Sequence, residues 1–286
     1  MPEREVFAPP RAELPSTLPD GTVALEVLSW GTLAPELGRD LTRLSRPIDG
    51  EMSSVASSLR AQGLRLVRLD ASDVGALFEL APPAGAVRRR IILPGVRFEE
   101  VADGATLEAT GAVETPLGVR RVGPGTARLS VRAWGTPAGD GSVRVRADVV
   151  GVVGTTRSDE RRELLSGTRQ EPLSGQPVPG LSAHLVSRTD EAWALVAASP
   201  DEDWSRMEGM EPAPANAPVD PAMDGEAVRP VGPRVEALRT SGELLFMRAP
   251  SSLTLRTDDE DARLVVLLVA RAPGRFTLFP ERASDQ

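Results

Sequence analysis

Short stretches in which apolar and polar residues alternate are the main pattern along this chain. Thr22–Trp30 places Val23, Leu25 and Val27 on one face of an extended segment, and a period of two predicts a β-strand with one buried face. Two longer alternating segments flank a turn rich in glycine, proline and aspartate within Thr126–Val152, which predicts a long β-hairpin.

The same alternation, interrupted by turn-forming residues, predicts further strands and hairpins. Hairpins are expected around Ala102–Gly104 and within Leu181–Ser199, the second one turning at Arg188–Asp190. The stretches 234–250 and 262–274 are expected to form strands. Short strands separated by turns about every 8–12 residues are typical of β-sandwiches and barrels.

A helical period is clearest between residues 49 and 81. Asp49 is predicted to cap a helix whose apolar residues recur every three or four positions, and Gly63 is predicted to end it. An alternating strand at Leu64–Asp70 and a second helix that runs through Leu80 complete a helix–strand–helix unit.

These elements predict a β-rich α+β fold, with a small N-terminal helix–strand–helix unit beside an antiparallel β-sandwich-like body. The predicted parts are an extended N-terminal arm (1–20), a small α/β unit (21–85), an antiparallel β body (86–199), a disordered Pro/Ala/acidic linker or long loop (200–233) and C-terminal strands that complete the body (234–280). The linker is predicted from its composition and its lack of apolar periodicity.

The residue inventory excludes most catalytic chemistries. The 286 residues include no cysteine and one histidine, and all 33 basic residues are arginine. Thiol nucleophiles, thiolate metal sites, Schiff bases and Walker A loops are therefore excluded. The single histidine, His184, alternates with apolar residues and is expected to face solvent. We expect a protein that is not an enzyme and has no cofactor, while a hydrolase that uses only carboxylates stays open.

The overall charge and hydropathy restrict the partners and the location. A formal net charge of −8 opposes nucleic-acid binding. No apolar run approaches the roughly 18 residues that a membrane-spanning helix needs, so no transmembrane segment is expected. The first residues have no apolar stretch typical of a signal peptide. We expect a cytoplasmic protein if Met1 is the native start, and an envelope or periplasmic protein if the chain is a mature form.

Two acidic clusters are candidate metal sites. One contains Asp201 and Asp203, and the other contains Asp258, Asp259 and Asp261. Calcium binds through several oxygens in flexible geometry, although neither cluster has the spacing of an EF-hand loop. The alternative is that both clusters are solvated turns between strands, and this interpretation predicts no metal.

Arginines recur on one face of the predicted long hairpin. Arg128, Arg132 and Trp134 of its first strand share a face with Arg144 and Arg146 of its second strand. This arginine face has three interpretations: the solvated side of an antiparallel sheet, a protein–protein contact in which the guanidinium groups pair with carboxylates, or a phosphate or nucleic-acid site. The acidic composition opposes the third interpretation.

The long hairpin and the segment after it resemble a known family. The Asp140-Gly141 turn, followed by a second turn with Asp190-Glu191 before an apolar strand, is similar to the C-terminal β-region of secretins, the outer-membrane channels of bacterial secretion and pilus systems. The unit at 49–81 is similar to the small ring-building domains that precede that region. The layout also resembles uncharacterised bacterial envelope proteins. The resemblance implies a structural part in envelope assembly and carries over no functional residue.

These observations together predict a non-enzymatic structural or interaction subunit of a bacterial envelope assembly of the secretion or pilus type. Its partners would be other protein subunits or further copies of itself. The contacts would be made by strand edges or by the arginine face. The alternative is a ligand- or carbohydrate-binding β module, with or without calcium.

Overall fold

A computed structural model describes residues 23–115, 118–138, 142–154, 175–198, 239–247 and 262–272. The predicted arm at 1–20 and the predicted linker at 200–233 lie outside these ranges. The strands are β1 (Ala24–Thr32), β2 (Leu64–Asp70), β3 (Arg88–Ile92), β4 (Glu99–Leu107), β5 (Gly111–Thr115), β6 (Gly118–Val122), β7 (Gly125–Pro137), β8 (Val143–Gly154), β9 (Gln176–Ser187), β10 (Glu191–Ala197), β11 (Arg239–Thr240) and β12 (Arg263–Arg271). The helices are α1 (Leu37–Leu44), α2 (Glu51–Arg60), α3 (Val74–Leu80) and α4 (Ser241–Phe246).

Five strands form an antiparallel sheet in the order β2–β10–β12–β1–β3. β12 lies at its centre, paired with β1 on one side and with β10 on the other. The β12 sequence is a continuous apolar run with an arginine at each end, as expected for a strand that is buried on both faces. All seven residues of β10 are buried as well.

The two faces of the five-stranded sheet pack against different partners. On one face, Trp30 of β1 shares a hydrophobic cluster with Leu41 of α1 and Leu77 of α3. On the other face, Leu268 of β12 shares a cluster with Leu129 of β7, which belongs to a second sheet. The molecule therefore has three layers, with helices outside, the five-stranded sheet in the middle and a second sheet on the other side.

The second sheet has four antiparallel strands in the order β4–β7–β8–β9. β7 and β8 form a continuous hairpin whose register runs from Thr126 opposite Gly154 to Pro137 opposite Val143. The hairpin predicted from the alternating pattern is confirmed. A separate three-stranded sheet has the order β11–β5–β6.

The hairpin predicted within Leu181–Ser199 is wrong. β9 pairs with β8 in the four-stranded sheet, whereas β10 pairs with β2 and β12 in the five-stranded sheet. The turn at Arg188–Asp190 therefore carries the chain from one sheet to the other. Because every residue of β10 is buried, this strand needs cover on both faces, which an exposed hairpin does not provide.

The hairpin predicted around Ala102–Gly104 is also wrong. β4 passes through these residues as one strand, paired with β7 and interrupted by two shifts of register. A Cβ atom added at Gly104 would lie 2.7 Å from the Cα of Leu245 in α4. Glycine is needed here because a helix approaches the strand closely, and not because the chain turns.

In the described part of 234–250, the predicted strand is replaced by the two-residue β11 and the helix α4. The backbone N–H of Glu243 donates to Oγ1 of Thr240 (3.1 Å), and the backbone N–H of Thr240 donates to the Glu243 carboxylate (2.6 Å). This reciprocal pair is a capping box, which starts a helix at a Thr-x-x-Glu sequence. Leu244, Leu245 and Phe246 then pack into the core between the two sheets.

The predicted helix–strand–helix order is present as α2, β2 and α3. The predicted role of Asp49 as the cap of α2 is wrong. Gly50 occupies the N-cap position with a φ of 58°, and no side chain bonds the first helical N–H groups. Asp49 lies one residue too early to make that bond.

The fold class is confirmed: the protein is β-rich α+β, with antiparallel sheets in a sandwich-like arrangement. β1 and β2, predicted for the small unit at 21–85, pair with β10 and β12 from much later in the chain. Sheet pairing therefore crosses the predicted division, and the domain boundaries stay a prediction. No helix in the described ranges combines the length and the apolar character needed to cross a membrane.

The position of α4 depends on a close contact with the loop after α2. The backbone N–H of Gly242 donates to the carbonyl oxygen of Gln62 (2.8 Å). A Cβ atom added at Gly242 would lie 2.0 Å from the carbonyl oxygen of Gly63. This helix can therefore stay in place only without a side chain at Gly242.

We expect Gly242→Ala to lower the free energy of unfolding by about 1–3 kcal/mol, because the new methyl group overpacks this contact. Gly75→Ala in α3 is the matched control, since a Cβ there meets nothing within 4 Å. That change should leave stability unchanged or raise it by up to about 1 kcal/mol. Urea denaturation of both variants measures the difference, and equal midpoints would contradict the packing described here.

Candidate functional site

Arg128 is not part of an exposed face. Its side chain is buried, and its Nη1 lies 3.3 Å from Oε2 of Glu100 on the neighbouring strand β4. The prediction that Arg128 is available to a partner at the surface is therefore corrected. Its charge is neutralised within the fold, as a buried guanidinium requires.

Arg132, whose side chain is 34% exposed, is also paired with a carboxylate. Its Nε and Nη2 donate to Oδ2 of Asp148 at 2.7 and 2.6 Å. The guanidinium carbon lies 4.7 Å from the centre of the Phe98 ring and 5.6 Å from that of Trp134. Trp134 therefore supports Arg132 through a cation–π contact. In this part of the arginine face, Arg132 and Trp134 contact residues of the same chain.

His184 shares the carboxylate of Asp148 with Arg132. The His184 side chain is 74% exposed, as predicted, whereas that of Asp148 is 4% exposed. Nδ1 of His184 contacts Oδ1 of Asp148, and the two residues lie opposite each other on β9 and β8. The sequence pattern placed His184 toward solvent but gave no sign of this contact, because the partner lies on another strand.

Arg144 and Arg146 differ from the first two arginines. Both are exposed on β8, and within the described residues neither has a carboxylate at ion-pair distance. They lie at the end of the hairpin near the turn, away from Arg128. The predicted arginine face is therefore two surfaces, of which one is internally neutralised and the other is available.

A groove of about 250 Å³ lies beside Arg144 and Arg146. Its lining comes from five elements and the loops next to them: Asp49, Glu51, Met52, Arg68, Arg144, Arg146, Val186, Arg188, Glu191 and Trp193. We call this feature the charged groove. Sequence reasoning missed Arg68, Arg188 and the acidic residues as members of one site, because they come from segments that meet only in the folded chain.

Two charges in the floor of the charged groove are already paired. Nη2 of Arg68 lies 2.5 Å from Oε1 of Glu191, and the backbone N–H of Arg188 donates to Oε2 of Glu191 (3.1 Å). Glu191 is buried. These bonds join Glu191 at the start of β10 to Arg68 on β2 and to the turn between the two sheets.

The candidate calcium ligands Asp201, Asp203, Asp258, Asp259 and Asp261 all lie outside the described residues. Among the residues that are described, no group of three or more acidic or histidine side chains could hold a metal ion. The calcium hypothesis therefore gains no support from this structure and stays a prediction.

The described residues also differ in charge from the chain as a whole. Arginines outnumber acidic residues in the described ranges, although the whole chain has 33 basic and 41 acidic residues. Within these ranges, the exposed arginines are therefore not accompanied by an excess of carboxylates.

Comparison with known proteins identifies no relative. No family model matches the chain, and neither a curated protein nor a solved structure matches it. Functional conclusions therefore rest on the geometry of the chain itself.

We expect Asp148→Asn to lower the free energy of unfolding by about 2–4 kcal/mol, because it removes a buried charge that bonds Arg132. His184→Ala is the control on the same carboxylate. Since His184 is mostly exposed, we expect a loss of less than about 1 kcal/mol. Chemical denaturation measures both values, and an equal loss in the two variants would show that the histidine, and not the arginine, holds Asp148.

Proposed function

We propose that this protein is a non-enzymatic interaction subunit that recognises an acidic surface of another protein. The observation that carries the proposal is the pair Arg144 and Arg146. These two exposed arginines have no carboxylate partner among the described residues. They stand beside the charged groove, which provides a concave surface next to the charges.

The physical chemistry of arginine supports this role. A guanidinium group presents planar donors that match a carboxylate in two parallel hydrogen bonds. Arg144 and Arg146 alternate along one strand, so both side chains extend from the same face of a rigid hairpin. An acidic partner would gain mainly in association rate and in orientation from such a pair.

The charge distribution favours a protein over a nucleic acid as the partner. The described layers carry an excess of arginine, but the whole chain has a formal net charge of −8. A polyanion as long as DNA or RNA would experience that negative charge as well as the arginines. A local acidic patch on a protein would experience mainly the pair at the surface.

The cellular assembly in which this interaction takes place is proposed only from the resemblance of the long hairpin to secretins. A secretion or pilus assembly of the bacterial envelope would use the subunit in contact with other subunits or with copies of itself. The native mass of the protein, measured by size-exclusion chromatography with light scattering, tests the second case. A discrete ring-sized oligomer supports self-assembly, whereas a monomer leaves a different protein as the partner.

The absence of enzyme activity stays a prediction, and so does the alternative of a ligand- or carbohydrate-binding β module, with or without calcium. The five aspartates that motivated the calcium hypothesis are not among the described residues. Arg144 and Arg146 are described and exposed, and they therefore carry the main proposal.

A double charge reversal tests the proposal. We expect R144E/R146E to weaken binding of an oligoglutamate peptide by at least about tenfold at low salt, because two attractive contacts become repulsive. R120E/R121E is the matched control, since Arg120 and Arg121 are adjacent and exposed on β6 in another sheet. Fluorescence anisotropy of the labelled peptide measures each affinity.

The control separates local recognition from general charge. A similar loss in R120E/R121E would mean that the peptide responds only to net charge, and the proposal would fail. The proposal would also fail if R144E/R146E bound the peptide as tightly as the native protein. Circular dichroism of both variants verifies that the sheets remain folded.

A further inference from the structure

The charged groove contains two pairs of opposite charges that do not meet. Asp49 and Glu51 lie on either side of Gly50 at the start of α2, and both are exposed. Arg144 and Arg146 come from β8 in the four-stranded sheet. All four line the same groove. In the described part of the chain, none of them has an ion-pair partner.

The other charges of the groove have contacts of their own, and Nε of Arg188 lies 3.9 Å from Oδ1 of Asp190. Arg68 bonds Glu191 and the carbonyl oxygen of Pro47. Glu191 also accepts the backbone N–H of Arg188. The unpaired arginines and the unpaired carboxylates come from separate elements of the groove.

Opposite charges that share a groove without contact leave space for a ligand between them. We propose that the charged groove binds a small dipolar ligand of the acidic amino-acid class, with two carboxylates and one ammonium group. Its carboxylates would pair with Arg144 and Arg146, and its ammonium group would pair with Asp49 and Glu51. A small anionic ligand held inside the groove would bring its charge near two carboxylates, and a small cationic ligand would bring its charge near the arginines. An acidic protein surface that contacts the arginines from outside the groove does not meet this restriction.

The dimensions of the groove agree with a ligand of this size. Pockets for drug-sized molecules measure about 300–1,000 Å³, so a groove of about 250 Å³ suits a smaller molecule. Met52, Val186 and Trp193 supply apolar lining between the charges. The short aliphatic part of an amino acid would lie against them.

The inference goes beyond the proposed interaction with an acidic protein. Both use Arg144 and Arg146, but only the dipolar ligand uses Asp49 and Glu51. Neutralising the two acids should leave an oligoglutamate peptide bound at least as well as before, because nearby negative charges are removed. The same change should remove selectivity for the ammonium group.

Isothermal titration calorimetry with L-glutamate and with glutarate tests the inference. The two molecules have the same carboxylates, and only glutamate carries an ammonium group. We expect the native protein to bind glutamate at least about tenfold more tightly than glutarate, the gain of one charge-assisted contact. D49N/E51Q should bind both molecules equally, and R144Q/R146Q should bind neither. R120Q/R121Q is the control and should behave like the native protein.

Two results would overturn the inference. The first is equal affinity of the native protein for glutamate and glutarate, and the second is no detectable heat with glutamate at millimolar concentrations. If glutamate fails while oligoglutamate still binds through Arg144 and Arg146, only the dipolar site is lost. If both ligands fail to bind, the proposed function fails with it.

Discussion

The architecture depends on two strands that must be covered on both faces. β10 and β12 are apolar at almost every position, so water is excluded only if one layer lies above them and another below. α1 and α3 provide one layer, and the four-stranded sheet provides the other. Glu26 shows how strict this condition is. Its buried carboxylate bonds Arg89 (2.5 Å) and Arg271 (2.6 Å), because an unpaired charge there would be costly.

The same constraint decides where unpaired charges can lie. Within the layers a charge is kept only with a partner, as Asp148 is with Arg132. The charged groove lies at the rim, where the chain leaves one sheet after Arg188 and enters the other, and where α2 begins. Side chains from distant segments meet there because the turn at Arg188–Asp190 connects the four-stranded sheet to the five-stranded sheet. The candidate site is therefore a consequence of how the sheets are joined.

Local patterns predicted the elements whose causes are local. The β7–β8 hairpin follows from alternation around one turn, and α2, β2 and α3 follow from apolar spacing between Asp49 and Leu80. The separation of β9 from β10 was missed because a turn at Arg188–Asp190 looks the same whether its strands share a sheet or not. The capping box at Thr240 is a local pattern as well, because Thr240 and Glu243 lie three residues apart in the sequence. The partners of Arg128 and the composition of the charged groove depend on strand order, which no local pattern contains.

The place of β12 in the chain has a consequence for how the protein folds. β12 is the last strand described, and its neighbours β1 and β10 precede it, with Leu28 paired to Leu267. Contacts between residues so far apart in sequence slow folding. During synthesis, β1 and β10 leave the ribosome before β12, the strand that pairs with both of them. Until β12 is made, apolar residues of these two strands are exposed. Exposed strands of this kind aggregate. The interval between the synthesis of β1 and that of β12 is therefore the period in which this chain is most prone to aggregate.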